Sequence, residues 1–210
     1  MQRLSIKKSK PTEKGLTLVE ALAAIVIFGF SITAVTAPLM LSMATRVRAH
    51  RAEQAMELAQ GEIDRVRLLL ERGDINNDLV SLLPPDGGTG AAAEVAAPTG
   101  QDTTCEPAAE NATQWCLVKV NNDEFAIQTF RTKTQPISTT NTTPAGFTIG
   151  VRVYTKAAID NNATLGTEPI SLAFSAANTA SAGPLVAVYT PIVRSDLPNS
   201  AGIYRNLLAN

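Results

Sequence analysis

Few residues in this chain have the types and neighbours that chemistry requires, and the first of them is Glu20. In KGLTLVEALAAIVIFGF, Lys14 to Phe30, it is a carboxylate set four residues into an otherwise almost wholly apolar run. A charge in such a place needs a partner of opposite sign, because an unpaired carboxylate away from water is costly. Cys105 and Cys116 are the second candidate pair, near enough in sequence for a disulfide that closes a short loop and stabilises by about 3 kcal/mol in the chain-entropy picture. The others are poorer. His50 is the single histidine, so a His-rich metal site has no second ligand. The stretch Gly87-Gly88-Thr89-Gly90 lacks the Lys-Ser/Thr that follows in a phosphate-binding loop and is not framed by a strand and a helix. Asn111, Asn141 and Asn162 each head an N-x-Ser/Thr triplet, of a kind that a Thr-rich chain produces by chance. No nucleophile, base and orienting group stand together. The chemistry is therefore charge pairing and crosslinking; neither an enzyme, a cofactor nor a metal is expected.

The elements that must position these residues begin with a membrane span. From Ala21 to Thr45 there is no charged residue, and about 20 mostly apolar residues in a helix cross a bilayer. A buried core helix is seldom this long or this close to a basic N-terminus. A secretory signal peptide has a shorter apolar run and a small-x-small exit followed by polar sequence. Arg3, Lys7, Lys8, Lys10 and Lys14 oppose only Glu13 at the start, leaving 13 basic and 18 acidic residues in the remainder. A mildly acidic body argues against a nucleic-acid partner. The basic leader favours a cytoplasmic N-terminus by a margin, since Arg46, Arg48 and Arg51 closely follow the span.

Beyond the span, Ala52, Ala55, Met56, Ala59, Ile63, Val66 and Leu70 recur every three or four residues, with Glu53, Glu57, Gln60, Asp64, Arg67 and Glu71 on the other face. This is the period of an amphipathic helix. It runs on from the span to about Arg72, where Gly73 is a stop signal. The whole helix is then about 55 residues and roughly 80 Å long. Gly29 and Pro38 weaken it from within, since proline removes a helical hydrogen bond.

Residues 84–114 are rich in Pro, Gly, Ala and Thr without a helical or strand period, and read as an exposed, partly mobile loop. Strands are expected at Trp115–Val120, Phe125–Arg131, Phe147–Thr155 and Leu185–Val193, with a possible short one at Ile170–Phe174. In FTIGVRVYT, Phe147, Ile149, Val151 and Val153 alternate with Arg152 and Tyr154, so one face is expected to be buried. Pro191 assigns the last strand to an edge or a bulge. The expected fold class is α+β, with the long N-terminal helix, half transmembrane and half amphipathic, packed on a small antiparallel sheet.

Gly15-Leu16-Thr17-Leu18-Val19-Glu20, after a short basic leader and before a long apolar run, resembles the type IV prepilin signal. The resemblance implies a pilin-like fold and cleavage between Gly15 and Leu16 by a prepilin peptidase that also methylates the new Leu16 amine. The family more often has Phe at that position. It further implies a chain organised as leader 1–15, assembly helix 16–45, amphipathic helix 46–73 and a periplasmic globular domain 74–210. The partners would be other pilin or pseudopilin subunits, a platform protein and an assembly ATPase at the inner membrane. Glu20 would then answer the amine of a neighbouring subunit. The span between Gly29 and Pro38 would be able to extend in the filament, and both cysteines would fall on the exported side, where thiols oxidise.

Together with TAPLMLSMATRVRAHR, the stretch HRAEQAMELAQGEIDRVR is similar to the pseudopilins of the cyanobacterial hormogonium polysaccharide secretion system, which implies polysaccharide export for gliding motility. Two other readings stand beside it: a minor pilin of an adhesive or DNA-uptake pilus, and a signal-anchored periplasmic enzyme or binding protein.

Overall fold

The computed structural model describes residues 17–72, 78–105, 110–139, 143–160, 164–170 and 182–209. In chain order these form helix α1 (Leu18–Arg72), a short helix α2 (Asp78–Leu82), a 3-10 turn (Ala92–Glu94) and strands β1 (Gly100–Gln101), β2 (Gln114–Val120), β3 (Asp123–Pro136) and β4 (Pro144–Thr155). A short helix α3 (Lys156–Asp160), strand β5 (Val186–Val193) and helix α4 (Ser200–Leu208) complete them. Gly15, Leu16, Gly73, Asn141, Asn162 and most of the possible strand Ile170–Phe174 lie outside the described residues. The chain divides into two units, Met1–Ala44 and Thr45–Asn210.

The first unit contributes the opening part of α1, helical through both Gly29 and Pro38. Its hydroxyls are satisfied locally: Ser31 donates to the Ile27 carbonyl at 2.8 Å, Thr33 to Phe30 at 2.9 Å and Thr36 to Ile32 at 2.7 Å. Such back-bonding is how a helix carries hydroxyls where no water can reach them.

In the second unit the sheet has the order β1-β2-β3-β4-β5. It is antiparallel except at β1, which pairs in parallel with β2, so the sheet is mixed. The β2–β3 hairpin closes on Asn121 and Asn122, with Val120 opposite Asp123. Asn121 has φ of 53°, a left-handed value that asparagine tolerates. The four strands expected at Trp115–Val120, Phe125–Arg131, Phe147–Thr155 and Leu185–Val193 are present, and β3 runs on past Arg131 to Pro136. Arg194 donates its N–H to Ala145 O at 2.9 Å in the β4–β5 register, so alternate residues of β5 face β4. Pro191 belongs to the other set: its missing N–H falls on the side of β5 that has no partner strand among the described residues.

The inner sheet face, Phe125, Ile127, Phe147, Ile149, Val151, Val153, Val186 and Ile192, packs on Ala55, Ala59, Ile63, Val66 and Leu70 of α1. The two alanines, fully buried, let helix and sheet approach closely. Each larger aliphatic adds about 1.5–3 kcal/mol by burial. Met56, expected on this stripe, is 41% exposed, and Gln54 takes the buried position instead.

The outer face departs from the expectation of a single buried side. Arg152, Tyr154, Phe130 and Gln128 all have no accessible surface. The segment read as an exposed loop crosses this face, with Ala92 and Asp102 buried within it. Arg152 holds it there, donating to the carbonyls of Val95 at 2.8 Å, Ala93 at 3.0 Å and Ala92 at 3.2 Å. Gln128 donates to Ala96 O and Ala112 O at 2.9 and 2.6 Å. Helix α4, not anticipated, caps one end of the sheet through Ile203 and Leu207, which pack with Ala145.

Candidate processing and assembly site

Helix α1 begins one residue after Thr17, whose Oγ1 accepts the Glu20 N–H at 3.3 Å while its carbonyl accepts the Ala21 N–H at 3.1 Å. Thr17 is thus the N-cap and Glu20 the third helical residue, the Thr-x-x-Glu spacing of a capping box. The missed signal was that spacing itself. The Glu20 carboxylate is exposed and sits in the first turn, where the helix dipole favours negative charge. It forms no ion pair with any described residue.

Among the described residues, the apolar side chains that follow have no cover. Leu18 is 82% exposed, and Ile25, Phe28, Phe30, Met40 and Met43 are all largely exposed. A contiguous apolar surface of this length is foreign to a protein surrounded by water and marks a membrane or a protein interface. The helix contains an 18-residue window of mean hydropathy 2.3, long and apolar enough to cross a membrane.

The other candidates are resolved separately. Cys105 and Cys116 are joined as a disulfide, with Cα atoms 5.6 Å apart. Beside them the Asp102 carboxylate accepts N–H groups from Thr104 at 2.8 Å and Glu110 at 2.7 Å and the Thr104 hydroxyl at 2.6 Å. The Thr104 hydroxyl and those amides hold its pKa down at about 2. Sequence reasoning missed Asp102, although an Asp two residues before a Thr is an Asx-turn signal.

In the GGTG stretch two of the amides have partners already: Gly87 N–H donates to Arg131 O at 2.7 Å and Gly88 N–H to the Asp86 carboxylate at 2.9 Å. They tie the loop to the sheet and do not open toward an anion. His50 is exposed beside Glu53, at 3.9 Å. Asn111 is exposed and donates its N–H to the Gln114 side chain. Among the described residues no three His, Cys, Asp or Glu side chains group as metal ligands.

No curated protein and no solved structure matches the chain. Residues 10–36 match the family model described as the prokaryotic N-terminal methylation motif. With the α+β, pilin-like arrangement of long helix and sheet, that match supports a type IV pilin-like prepilin signal, and through it a type IV pilin-family subunit cleaved by prepilin peptidase.

Proposed function

We propose that the chain is a structural pseudopilin, cut between Gly15 and Leu16, methylated on the Leu16 amine and assembled through α1 into a short filament of a type IV pilus or type II secretion-like machine. The observation that carries this is the uncovered apolar helix with one carboxylate in its first turn. Before assembly the subunit spans the inner membrane once, with residues 74–210 in the periplasm. A platform protein and an ATPase extract it, and its helix exchanges lipid for the helices of neighbours. Glu20 pairs with the cationic Leu16 amine of an adjacent subunit, so that neither charge is left alone in an apolar setting, and the pair sets the axial register. The similarity of residues up to about 70 to the hormogonium pseudopilins supports polysaccharide export in gliding motility as the output.

N-terminal sequencing of the protein from membranes tests the processing step. A start at Leu16 is expected; an intact Met1, or a cut after residue 30, overturns the proposal. A gene neighbourhood with further pseudopilins and polysaccharide enzymes separates the secretion role from that of an adhesive or DNA-uptake pilus.

A further inference from the structure

Two sets of contacts bring Cys105 and Cys116 together independently of the bond between them. On one side, Gly100 and Gln101 pair with Gln114 and Trp115. Asp102 then donates its N–H to Trp115 O at 3.0 Å, which fixes it beside the residue that precedes Cys116. On the other side, the Asp102 carboxylate turns the following chain back on itself. Oδ1 accepts the Thr104 N–H at 2.8 Å, the Thr104 hydroxyl at 2.6 Å and the Cys105 N–H at 3.4 Å, and Oδ2 accepts the Glu110 N–H at 2.7 Å. Cys105 has φ of 46°, a left-handed conformation uncommon for a residue with a β-carbon. Asp102 itself is 6% exposed, so these bonds compete little with water. The cysteine Cα atoms end 5.6 Å apart, within the range that a disulfide closes without moving the backbone.

We infer that Asp102 is the positioning residue for this disulfide: its carboxylate holds the reduced chain in the turn that presents Cys105 to Cys116, and so sets how stable the bond is. The inference does not depend on the filament reading. Oxidation by a small-molecule disulfide proceeds in two exchanges. One cysteine thiolate attacks a sulfur of oxidised glutathione and expels one glutathione thiolate. The second cysteine then attacks the mixed disulfide and expels the other. One S–S bond forms, one breaks, and two electrons pass from the protein to glutathione. The loop-closure cost of bringing the thiols together falls on the turn, and by linkage the turn favours the bond by the same factor as the bond favours the turn.

The test is the thiol–disulfide equilibrium of the full chain in detergent, set by mixtures of reduced and oxidised glutathione and read by alkylation and mass. Asp102→Asn keeps the size of the side chain and removes its charge, and is expected to shift the equilibrium toward thiols by about tenfold or more. Thr104→Val removes one hydroxyl donor, and a shift of several-fold in the same direction is expected. Parent-like equilibria in both variants overturn the inference, even where Asp102→Asn lowers the melting temperature of oxidised and reduced forms alike. Should Asp102→Asn fail to fold, the Thr104→Val equilibrium alone decides.

Discussion

Arg152 donates its Nε–H to the Tyr189 hydroxyl at 2.8 Å across the β4–β5 pair, on the sheet face turned away from α1. The guanidinium is fully buried and meets carbonyls, the Gln128 amide oxygen at 3.2 Å and the rings of Phe130 and Tyr189, with centroids at 5.1 and 5.6 Å. Its charge is answered by dipoles and aromatic faces. Arg152→Met would strand the carbonyls of Ala92, Ala93 and Val95. It is expected to cost about 3 kcal/mol, read by denaturant unfolding, and to speed proteolytic cutting between Ala91 and Ala97.

Gly150 lies between Phe130 and Tyr189 in the same row, and a β-carbon there would overlap the Phe130 ring. Gly150→Ala is expected to destabilise by about 1–3 kcal/mol. Combining it with Phe130→Leu should cost less than the sum of the two single changes, since the smaller side chain removes the overlap. Thermal melts of the four proteins in the cycle measure this.

Acid stability should report Asp102. Its folded pKa, about 2, lies below the usual unfolded carboxylate value near 3.9. A depressed folded value means that the stabilisation is fully present above the unfolded pKa and is lost as pH falls through about 2. Unfolding measured from pH 6 to pH 2 should therefore fall off less steeply in Asp102→Asn, which has no such proton to take up, than in the parent chain.

Glu20 separates processing from assembly. Glu20→Ala is expected to leave the start at Leu16 unchanged and to abolish filaments in electron micrographs. Normal filaments from Glu20→Ala would remove the register role. Glu20 stands in the first turn of α1 with its backbone N–H already engaged by Thr17, so Thr17→Val, which loses that cap, is expected to weaken the helix start by about 1 kcal/mol.

Local periodicity made the main elements readable. The stripe from Ala55 to Leu70 and the alternation in FTIGVRVYT reflect contacts that each element makes with one continuous apolar surface. The covering of the outer face was not readable in the same way, because an Ala- and Pro-rich stretch has no period of its own and is placed by Arg152 and Gln128, far away in sequence. Arg152 looked like a solvent-facing residue because its partners are carbonyls, which every residue has. Helix α4 escaped because Ile203 and Leu207 are too few to establish a period. β1 is two residues long and owes its place to β2. At the candidate site, Glu20 was legible from its surroundings, whereas the Thr17 cap was not recognised.

Pro191 has a consequence for crowding. With no donor to offer at that point of the free edge, β5 cannot serve as a continuous template for another strand. Copies that met along this edge would find backbone pairing broken at Pro191 and would depend there on side-chain contacts. Assembly held by side chains can be undone and its subunits reused, whereas backbone pairing along an open edge drifts toward irreversible fibres.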